Sequence, residues 1–234
     1  YYLSSTIDSS SNYAAQRKVA IEQEFTTGNY TPPDEEADVH TEFLLDNGSE
    51  SVTFISVDIC NSSAMRSIHA QSFEIAYELF IRELGTVVGQ FHGAILKVTG
   101  DGFIAYVRHP SVNSQCDAAI DMCLTFLSVL RDSINPILRA ENLPEIDIRI
   151  GADFGTASVR DYSIPTTQYH TTDVVSDALN RAVKIERHAA ANEFHIGRCL
   201  YERIHVQWLL RASPREILSE NEVGLDHYQT YRIQ

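Results

Sequence analysis

The stretch Val52–Ile59, V-T-F-I-S-V-D-I, decides the fold. β-Branched and aromatic residues dominate it, and such residues favour a half-buried strand. Because side chains alternate between the two faces of a strand, Phe54, Ser56 and Asp58 are expected on the same face. A carboxylate in so apolar a segment is costly to bury unless a partner offsets its charge. The sequence therefore predicts a strand whose one charged residue, Asp58, needs a partner nearby.

A second acidic residue, Asp101, lies in a tight turn. The segment Lys97–Gly102, K-V-T-G-D-G, is predicted to close a hairpin beside the first strand. Acidic side chains at a strand end and in an adjoining hairpin are oxygen ligands suited to hard divalent cations. We therefore predict that Asp58 and Asp101 hold one or two Mg²⁺ or Mn²⁺ ions, with the backbone carbonyl of Ile59 as a further ligand. The structural alternative is that Asp58 caps the following helix and Asp101 is an ordinary turn residue.

The rest of the chain is predicted to alternate strands and helices after an N-terminal extension. Residues 1–50 form this extension, with a helix at Asn12–Phe25, an acidic Pro-containing linker and a docked segment at Phe43–Leu45. Residues 51–234 form the folded domain. Its predicted strands are Val52–Ile59, Ala94–Thr99, Phe103–Val107, Ile146–Ala152, Thr156–Arg160, Glu193–Ile196 and Tyr228–Ile233. Its predicted helices are a long one from the Asn61–Ser63 N-cap candidates to Gly89, then Asn113–Leu138, Ser176–Ala191 and Leu200–Leu210.

This order predicts an α+β fold, with a mostly antiparallel sheet covered by helices on one face. The strands at Ile146–Ala152 and Thr156–Arg160 are expected to form a hairpin, with Gly151 and Gly155 at its turn. A polar loop, Asp161–Thr172, is expected to follow them.

A polar stripe is predicted on the helix after that loop. The segment Asp173–Lys184 reads D-V-V-S-D-A-L-N-R-A-V-K, so Asn180 and Lys184 are four residues apart and project from one helix face. Arg181 points elsewhere. An amide and a cation on one face could orient a ribose and offset charge on a phosphoryl group in transfer. The alternative is an ordinary amphipathic helix with a solvated polar side.

The composition is that of an ordinary globular protein with an acidic surface. The 234 residues carry a formal net charge of −14, and 44% of them are hydrophobic. Binding to nucleic acid needs clustered Lys and Arg, so this charge argues against it. No apolar run approaches the length of a membrane span and no signal-peptide pattern opens the chain, so a cytoplasmic protein without membrane contact is expected. The four cysteines form no C-x-x-C pair and are expected to be buried free thiols.

Five segments, taken together, resemble the catalytic domain of class III nucleotidyl cyclases over about Ser51–Ile233. They are V-T-F-I-S-V-D-I, F-H-G-A-I-L-K-V-T-G-D-G-F, I-R-I-G-A-D-F-G, D-V-V-S-D-A-L-N-R-A-V-K and Y-Q-T-Y-R-I. Each is short, but their order and spacing together are specific. The resemblance implies a ferredoxin-like cyclase domain and a two-metal enzyme, using Mn²⁺ or Mg²⁺. Its reaction converts a nucleoside triphosphate into a 3′,5′-cyclic monophosphate and pyrophosphate.

The resemblance also implies roles for single residues. Asp58 and Asp101 fall at the metal carboxylates of the family, and Ile59 gives its carbonyl. Lys97 and Asp173 fall where the family reads the base. Each assignment is carried over only at the position that matches the family motif.

Other implied roles lie on the third helix and across a dimer interface. Asn180 falls where the family positions the ribose, and Lys184 stands where it usually carries a transition-state arginine. Family members are head-to-tail dimers with shared sites, so a homodimer is expected and a monomer would be inactive. Two further departures are the small polar run Asn61–Ser63 in place of an aromatic, and the segment Gly224–Tyr228 without the usual basic residue.

The sequence leaves two alternatives for the nucleotide base of the substrate, adenine and a pyrimidine. Lys97 with Asp173 looks like the adenine-reading pair of adenylate cyclases, which favours ATP. Phe54 would project its ring towards the pocket and leave less room for a purine. The chain also looks like the pyrimidine cyclases of bacterial Pycsar antiphage systems, which make cUMP or cCMP. We favour UTP, because Lys offers only donors and uracil presents two acceptor carbonyls.

A competing class of function is a nucleotide sensor, that is, a degenerate cyclase domain that binds without turnover. Lys184 and the missing C-terminal cation support it. The two retained metal carboxylates argue against it, because a pure binder has less need of both.

Overall fold

The computed structural model describes residues 7–33, 48–68 and 70–234 of the chain. The segment predicted at Phe43–Leu45 lies outside the described residues. The strands are β1 (Ser49–Ile59), β2 (Ala94–Val98), β3 (Gly102–Val107), β4 (Ile148–Ile164), β5 (Tyr169–Val175), β6 (Glu193–Gly197), β7 (Ala212–Leu218) and β8 (Tyr228–Ile233). The helices are α1 (Ser10–Thr27), α2 (Ser62–Ile68), α3 (Ala70–Gln90), α4 (Val112–Val129), α5 (Asn135–Ala140), α6 (Asp177–His188), α7 (Arg198–Tyr201), α8 (Val206–Leu209) and α9 (Glu220–Val223).

The described strands form one sheet in the order β2-β3-β1-β4-β6-β8-β7, and β5 pairs with the far half of β4. Strands β4 and β6 run parallel, and the other paired strands run antiparallel. The predicted α+β class with a mostly antiparallel sheet is therefore confirmed. The apolar strand β1 is central, with β3 on one side and β4 on the other.

The region around Gly151 and Gly155 corrects one prediction, because β4 continues through both glycines as a single 17-residue strand. The hairpin lies further along, at Pro165–Thr167, and the predicted polar loop is mostly the two strands beside it. A Cβ atom on Gly151 would lie 2.2 Å from the backbone nitrogen of Glu186 in α6. These glycines thus give α6 room to lie on the sheet, and neither of them makes a turn.

Helices cover both faces of the sheet, which corrects the prediction of one covered face. The main core lies on the face of Ile55 and Val57, where α1, α3 and α4 pack. A second cluster lies on the opposite face, where Val52 and Phe54 of β1 pack with Ala178 of α6. The helix with the predicted polar stripe therefore lies on the same face as Phe54.

Two long predicted helices are interrupted. The first is divided into α2 and α3, and the second into α4, a π-helical turn at Leu130–Ile134, and α5. Pro136 falls in the first turn of α5, where its missing N–H is tolerated. The predicted helix at Leu200–Leu210 is two short helices, α7 and α8. Strand β7 and helix α9 were not predicted. In β7, the segment Ser213–Glu216 lacks the alternation of apolar and polar residues that indicates a strand.

The predicted N-terminal helix is present as α1 and packs against α4 and the π-helical turn. A buried ion pair attaches it to α3: Nε of Arg17 lies 2.7 Å from Oε2 of Glu83, and Glu83 has no exposed surface.

The four cysteines are free thiols; Cys116 and Cys123 are buried, whereas Cys60 and Cys199 are half-buried. Within the described ranges, no helix has the length and apolarity that a bilayer span requires.

Candidate functional site

Asp58 and Asp101 lie side by side where β1 and β3 meet. Asp58 pairs with Gly102 across the two strands, and the backbone nitrogen of Ile59 donates to the carbonyl of Asp101 at 3.0 Å. Burial raises the pKa of Asp58; a hydrogen bond from Arg149 opposes this, and the nearby charge of Asp101 raises the pKa further. The structure therefore brings together the two carboxylates that the sequence singled out.

The two glycines of the T-G-D-G turn are required by the backbone geometry around Asp101. A Cβ atom on Gly102 would lie 1.9 Å from the carbonyl oxygen of Val57, so only glycine lets β3 approach β1 this closely. Gly100 has φ of +93°, a conformation that favours glycine. These two residues place the carboxylate of Asp101 against the end of β1.

Arg149 is the charged partner that Asp58 needs, and sequence reasoning missed it. Its Nη2 hydrogen-bonds Oδ2 of Asp58, which it faces across β1 and β4. Its Nε lies 3.0 Å from Oε1 of Glu186, close but not aligned as a hydrogen bond. Burial, followed by the charge of Asp58, raises the pKa of Glu186 to about 7. Arg149 is the single cation in the segment I-R-I-G. Its pairing with Asp58 could not be predicted, because it depends on the register between β1 and β4.

The chemistry of this donor set fits a hard divalent cation. Asp58 and Asp101 are half-buried and repel each other, and the guanidinium of Arg149 offsets the charge of Asp58. Oxygen ligands of this kind suit Mg²⁺ and Mn²⁺. Among the described residues, no group of three or more His, Cys, Asp or Glu side chains could hold a metal ion. Further ligands would then be a backbone carbonyl, such as that of Ile59, together with water or substrate oxygens.

Asn180 and Lys184 share one face of α6, as the spacing predicted. Asn180 is exposed. Lys184 is half-buried, and its Nζ donates to the backbone carbonyl of Glu222 in α9. Within the described chain, no hydrogen bond or ion pair joins either residue to Asp58 or Asp101. In this protomer the amide of Asn180 and the ammonium group of Lys184 therefore make no direct contact with the two carboxylates.

The three predicted base-binding residues lie on different strands: Lys97 on β2, Asp173 on β5 and Phe54 on β1. Lys97 pairs with Ile104, which pairs with Ser56, so Lys97 lies on the sheet face of Asp58. Asp173 is exposed on β5, and its Oδ1 accepts from the backbone nitrogen of Val174 at 2.8 Å. No ion pair joins Lys97 to Asp173 in the part of the chain that the structure describes.

Phe54 has the predicted orientation but not the predicted surroundings. Its ring lies on the face of Asp58, is fully buried, and packs 6.5 Å from the ring of Tyr106 between centroids. In this protomer α6 covers it, so it is a core residue and does not line an open pocket. In this protomer Phe54 therefore has no exposed surface through which it could contact a base.

Arg181 points away from the polar stripe, as predicted, and fastens α6 to the sheet. Its Nε hydrogen-bonds Oδ2 of the fully buried Asp153, and its Nη2 lies 3.2 Å from the carbonyl of Phe154. The hydroxyl of Tyr228 in β8 donates to the same carboxylate at 2.8 Å. This buried network holds α6 against β4 and β8.

The comparisons with known proteins agree with this geometry. The family model described as the adenylate and guanylate cyclase catalytic domain matches residues 45–233. No curated protein sequence matches the chain closely enough to count as a relative.

Several solved structures share the fold. The guanylate cyclase domain of RhGC from Catenaria anguillulae, solved in complex with GTP, is 20% identical, with a TM-score of 0.66 over 80% of this chain and 98% of that one. The adenylyl cyclase CyaB from P. aeruginosa is 17% identical, with a TM-score of 0.69 over 80% and 95%. A class III adenylyl cyclase-like ATP-binding protein from Pseudomonas aeruginosa is 14% identical, with a TM-score of 0.66 over 88% and 46%.

Proposed function

The chain belongs to the family of adenylate and guanylate cyclase catalytic domains, and on that premise we propose that it is a working uridylate cyclase. It would convert UTP into 3′,5′-cyclic UMP and pyrophosphate, the cyclic product serving as a second messenger in antiphage defence. The observation that carries the proposal of turnover is the pair Asp58 and Asp101, adjacent on neighbouring strands with oxygen donors suited to divalent cations.

The chain's own groups have separable tasks in this reaction. Bound Mg²⁺ or Mn²⁺ would supply a Lewis acid that lowers the pKa of the ribose 3′-hydroxyl and neutralises phosphate charge. Asp58, Asp101 and the carbonyl of Ile59 would hold it. Arg149, which hydrogen-bonds Asp58, would offer its guanidinium to phosphate oxygens beside the metal ligands. Asn180 would orient the ribose.

Shared sites in a homodimer are supported by the position of α6. Asn180 and Lys184 do not reach the carboxylates of their own protomer, so they would serve the carboxylates of a second copy. The hairpin of β4 and β5 exposes the apolar side chains Tyr162, Ile164 and Tyr169, which suit burial against another chain. In that dimer Lys184 would leave the carbonyl of Glu222 and offset charge on the transferring phosphoryl group.

The shared site predicts rescue between two inactive variants. Asp58→Ala and Asn180→Ala should each abolish cyclase activity as pure proteins. After random exchange of equal amounts, half of the dimers are mixed and each keeps one intact site, so about a quarter of the activity should return. Cyclic nucleotide formation in the mixture measures it, with each variant alone at the same total concentration as the control. No rescue at any mixing ratio would rule out sites shared across the dimer.

The choice of UTP rests on Lys97, because the buried Phe54 no longer supports it. Lys97 offers donors only, which match the two carbonyls of uracil. Asp173, which would complete an adenine-reading pair, forms no ion pair with Lys97 in the described protomer. We therefore base the proposal of UTP on Lys97 and keep ATP, read by Lys97 together with Asp173, as its alternative.

Incubation with each of the four triphosphates and Mn²⁺ tests the base. We expect cUMP as the main product by mass spectrometry, and Lys97→Ala should reduce the preference for UTP. Cyclic AMP as the main product would replace this assignment with an adenylate cyclase, and cCMP would replace it with a cytidylate cyclase.

A nucleotide-binding domain without turnover is the second candidate. It is favoured by the bond from Lys184 to the carbonyl of Glu222, which engages the ammonium group that would otherwise serve catalysis. One structural neighbour is likewise described as an ATP-binding protein similar to adenylyl cyclases. Tight triphosphate binding with no cyclic product from any of the four substrates would select this function.

A further inference from the structure

Ser62 contacts Asp101, one of the two carboxylates of the candidate metal site. The family resemblance assigns no role to this contact. Ser62 is the first residue of α2, and only 5% of its surface is exposed. Its hydroxyl lies 2.7 Å from Oδ2 of Asp101, 39 positions away in sequence. An ionised carboxylate only accepts hydrogen bonds, so the serine hydroxyl is the donor. The bond therefore restrains the carboxylate of Asp101 directly.

The backbone around Ser62 is built to hold this contact. Asn61 has φ of +56°, in the left-handed region, which turns the chain sharply between β1 and α2. The backbone nitrogen of Cys60 donates to the carbonyl of Asp147 at 2.8 Å and fixes the start of the turn. One helical turn after Ser62, Nη2 of Arg66 donates to the carbonyl of Gly100 at 3.2 Å. Helix α2 thus contacts the hairpin of Asp101 at two points.

We propose that Ser62 is a positioning residue that orients the Asp101 carboxylate for divalent cations, an inference that rests on the proposed function. The hydroxyl donates to Oδ2 and limits rotation of the side chain. The other oxygen of Asp101 and the carboxylate of Asp58 then act as a preorganised pair. Hydrogen bonds to ligating carboxylates commonly tune metal affinity in this way.

Direct binding of Mn²⁺ tests the inference without relying on turnover. Electron paramagnetic resonance reports free Mn²⁺ during titration of the full chain. Ser62→Ala should raise the dissociation constant by about tenfold, within the 10- to 100-fold range typical of such partners. Ser62→Thr keeps a hydroxyl and should stay within about threefold of the unmodified protein, because the same donor remains.

Two controls separate positioning from folding. Ser63→Ala changes the exposed neighbour and should leave Mn²⁺ affinity unchanged. Thermal unfolding should show that Ser62→Ala remains folded; if it does not, Ser62→Cys offers a similar shape with a much weaker donor. If folded Ser62→Ala or Ser62→Cys bound Mn²⁺ as tightly as the unmodified protein, the inference alone would be overturned. If the unmodified protein bound no Mn²⁺, both the role of Ser62 and the proposed metal site at Asp58 and Asp101 would be overturned.

Discussion

Replacing Asp101 by asparagine is expected to reduce cyclic nucleotide formation by at least about a hundredfold. Metal ions contribute several kcal/mol to stabilising charge in the transition state, and each 1.36 kcal/mol is about a factor of ten in rate. Asparagine keeps the size of the side chain and can still accept from Ser62, but it loses the negative charge that holds a cation. The initial rate of product formation at saturating triphosphate and fixed Mn²⁺ is the measurement.

A matched control separates this effect from a general loss of charge. Asp132→Asn changes an exposed carboxylate that pairs with Arg131 beyond α4, and it should leave the rate unchanged. Circular dichroism should show that Asp101→Asn remains folded, since removing one of two repelling carboxylates relieves repulsion with Asp58. An Asp101→Asn protein with nearly full activity would exclude Asp101 as a metal ligand.

The second large effect concerns stability. Replacing Glu83 by glutamine should lower the free energy of unfolding by about 3 to 5 kcal/mol, because it leaves the buried charge of Arg17 without its carboxylate. Oε1 of Glu83 accepts from Nη2 of Arg17 at 3.1 Å and from Nε of Arg82 at 3.2 Å, so one substitution weakens two arginine contacts. The other contacts of Arg17, the carbonyl of Thr31 at 2.8 Å and the ring of Tyr30, carry no formal charge that could balance it. Urea unfolding followed by circular dichroism measures the difference.

An exposed ion pair provides the comparison. Glu145→Gln breaks the pair with Arg139, whose atoms lie 2.6 Å apart on the surface. Its effect should be much smaller than that of Glu83→Gln, because solvent screens such pairs. If Glu83→Gln were no more destabilising than Glu145→Gln, α1 would not depend on the buried pair for its attachment.

The proximity of Asp58 and Asp101 could be predicted because it needs only local elements. One strand, one hairpin and their alternation place both carboxylates at one end of the sheet. The same alternation put Phe54 on the correct face. Its burial could not be predicted, because that depends on α6 crossing the sheet more than 100 residues later in the chain.

The errors have a common physical origin in tertiary contacts. Gly151 and Gly155 look like turn residues in sequence, but their role is to let α6 approach β4. Ser62 looks like an N-cap candidate, but its hydroxyl donates to Asp101. The need of Asp58 for a charged partner was clear, yet the identity of Arg149 depends on the register between β1 and β4.

The most direct measurement is the anomalous diffraction of crystals grown with Mn²⁺ and a non-hydrolysable triphosphate analogue. We expect Mn²⁺ density between Asp58 and Asp101, at the ligand distances of about 2 to 2.5 Å that oxygen sites show for hard divalent cations. We also expect Asn180 of a second protomer to face the ribose. Anomalous density elsewhere, with Asp58 still bonded to Arg149 and no cation between the carboxylates, would contradict the account.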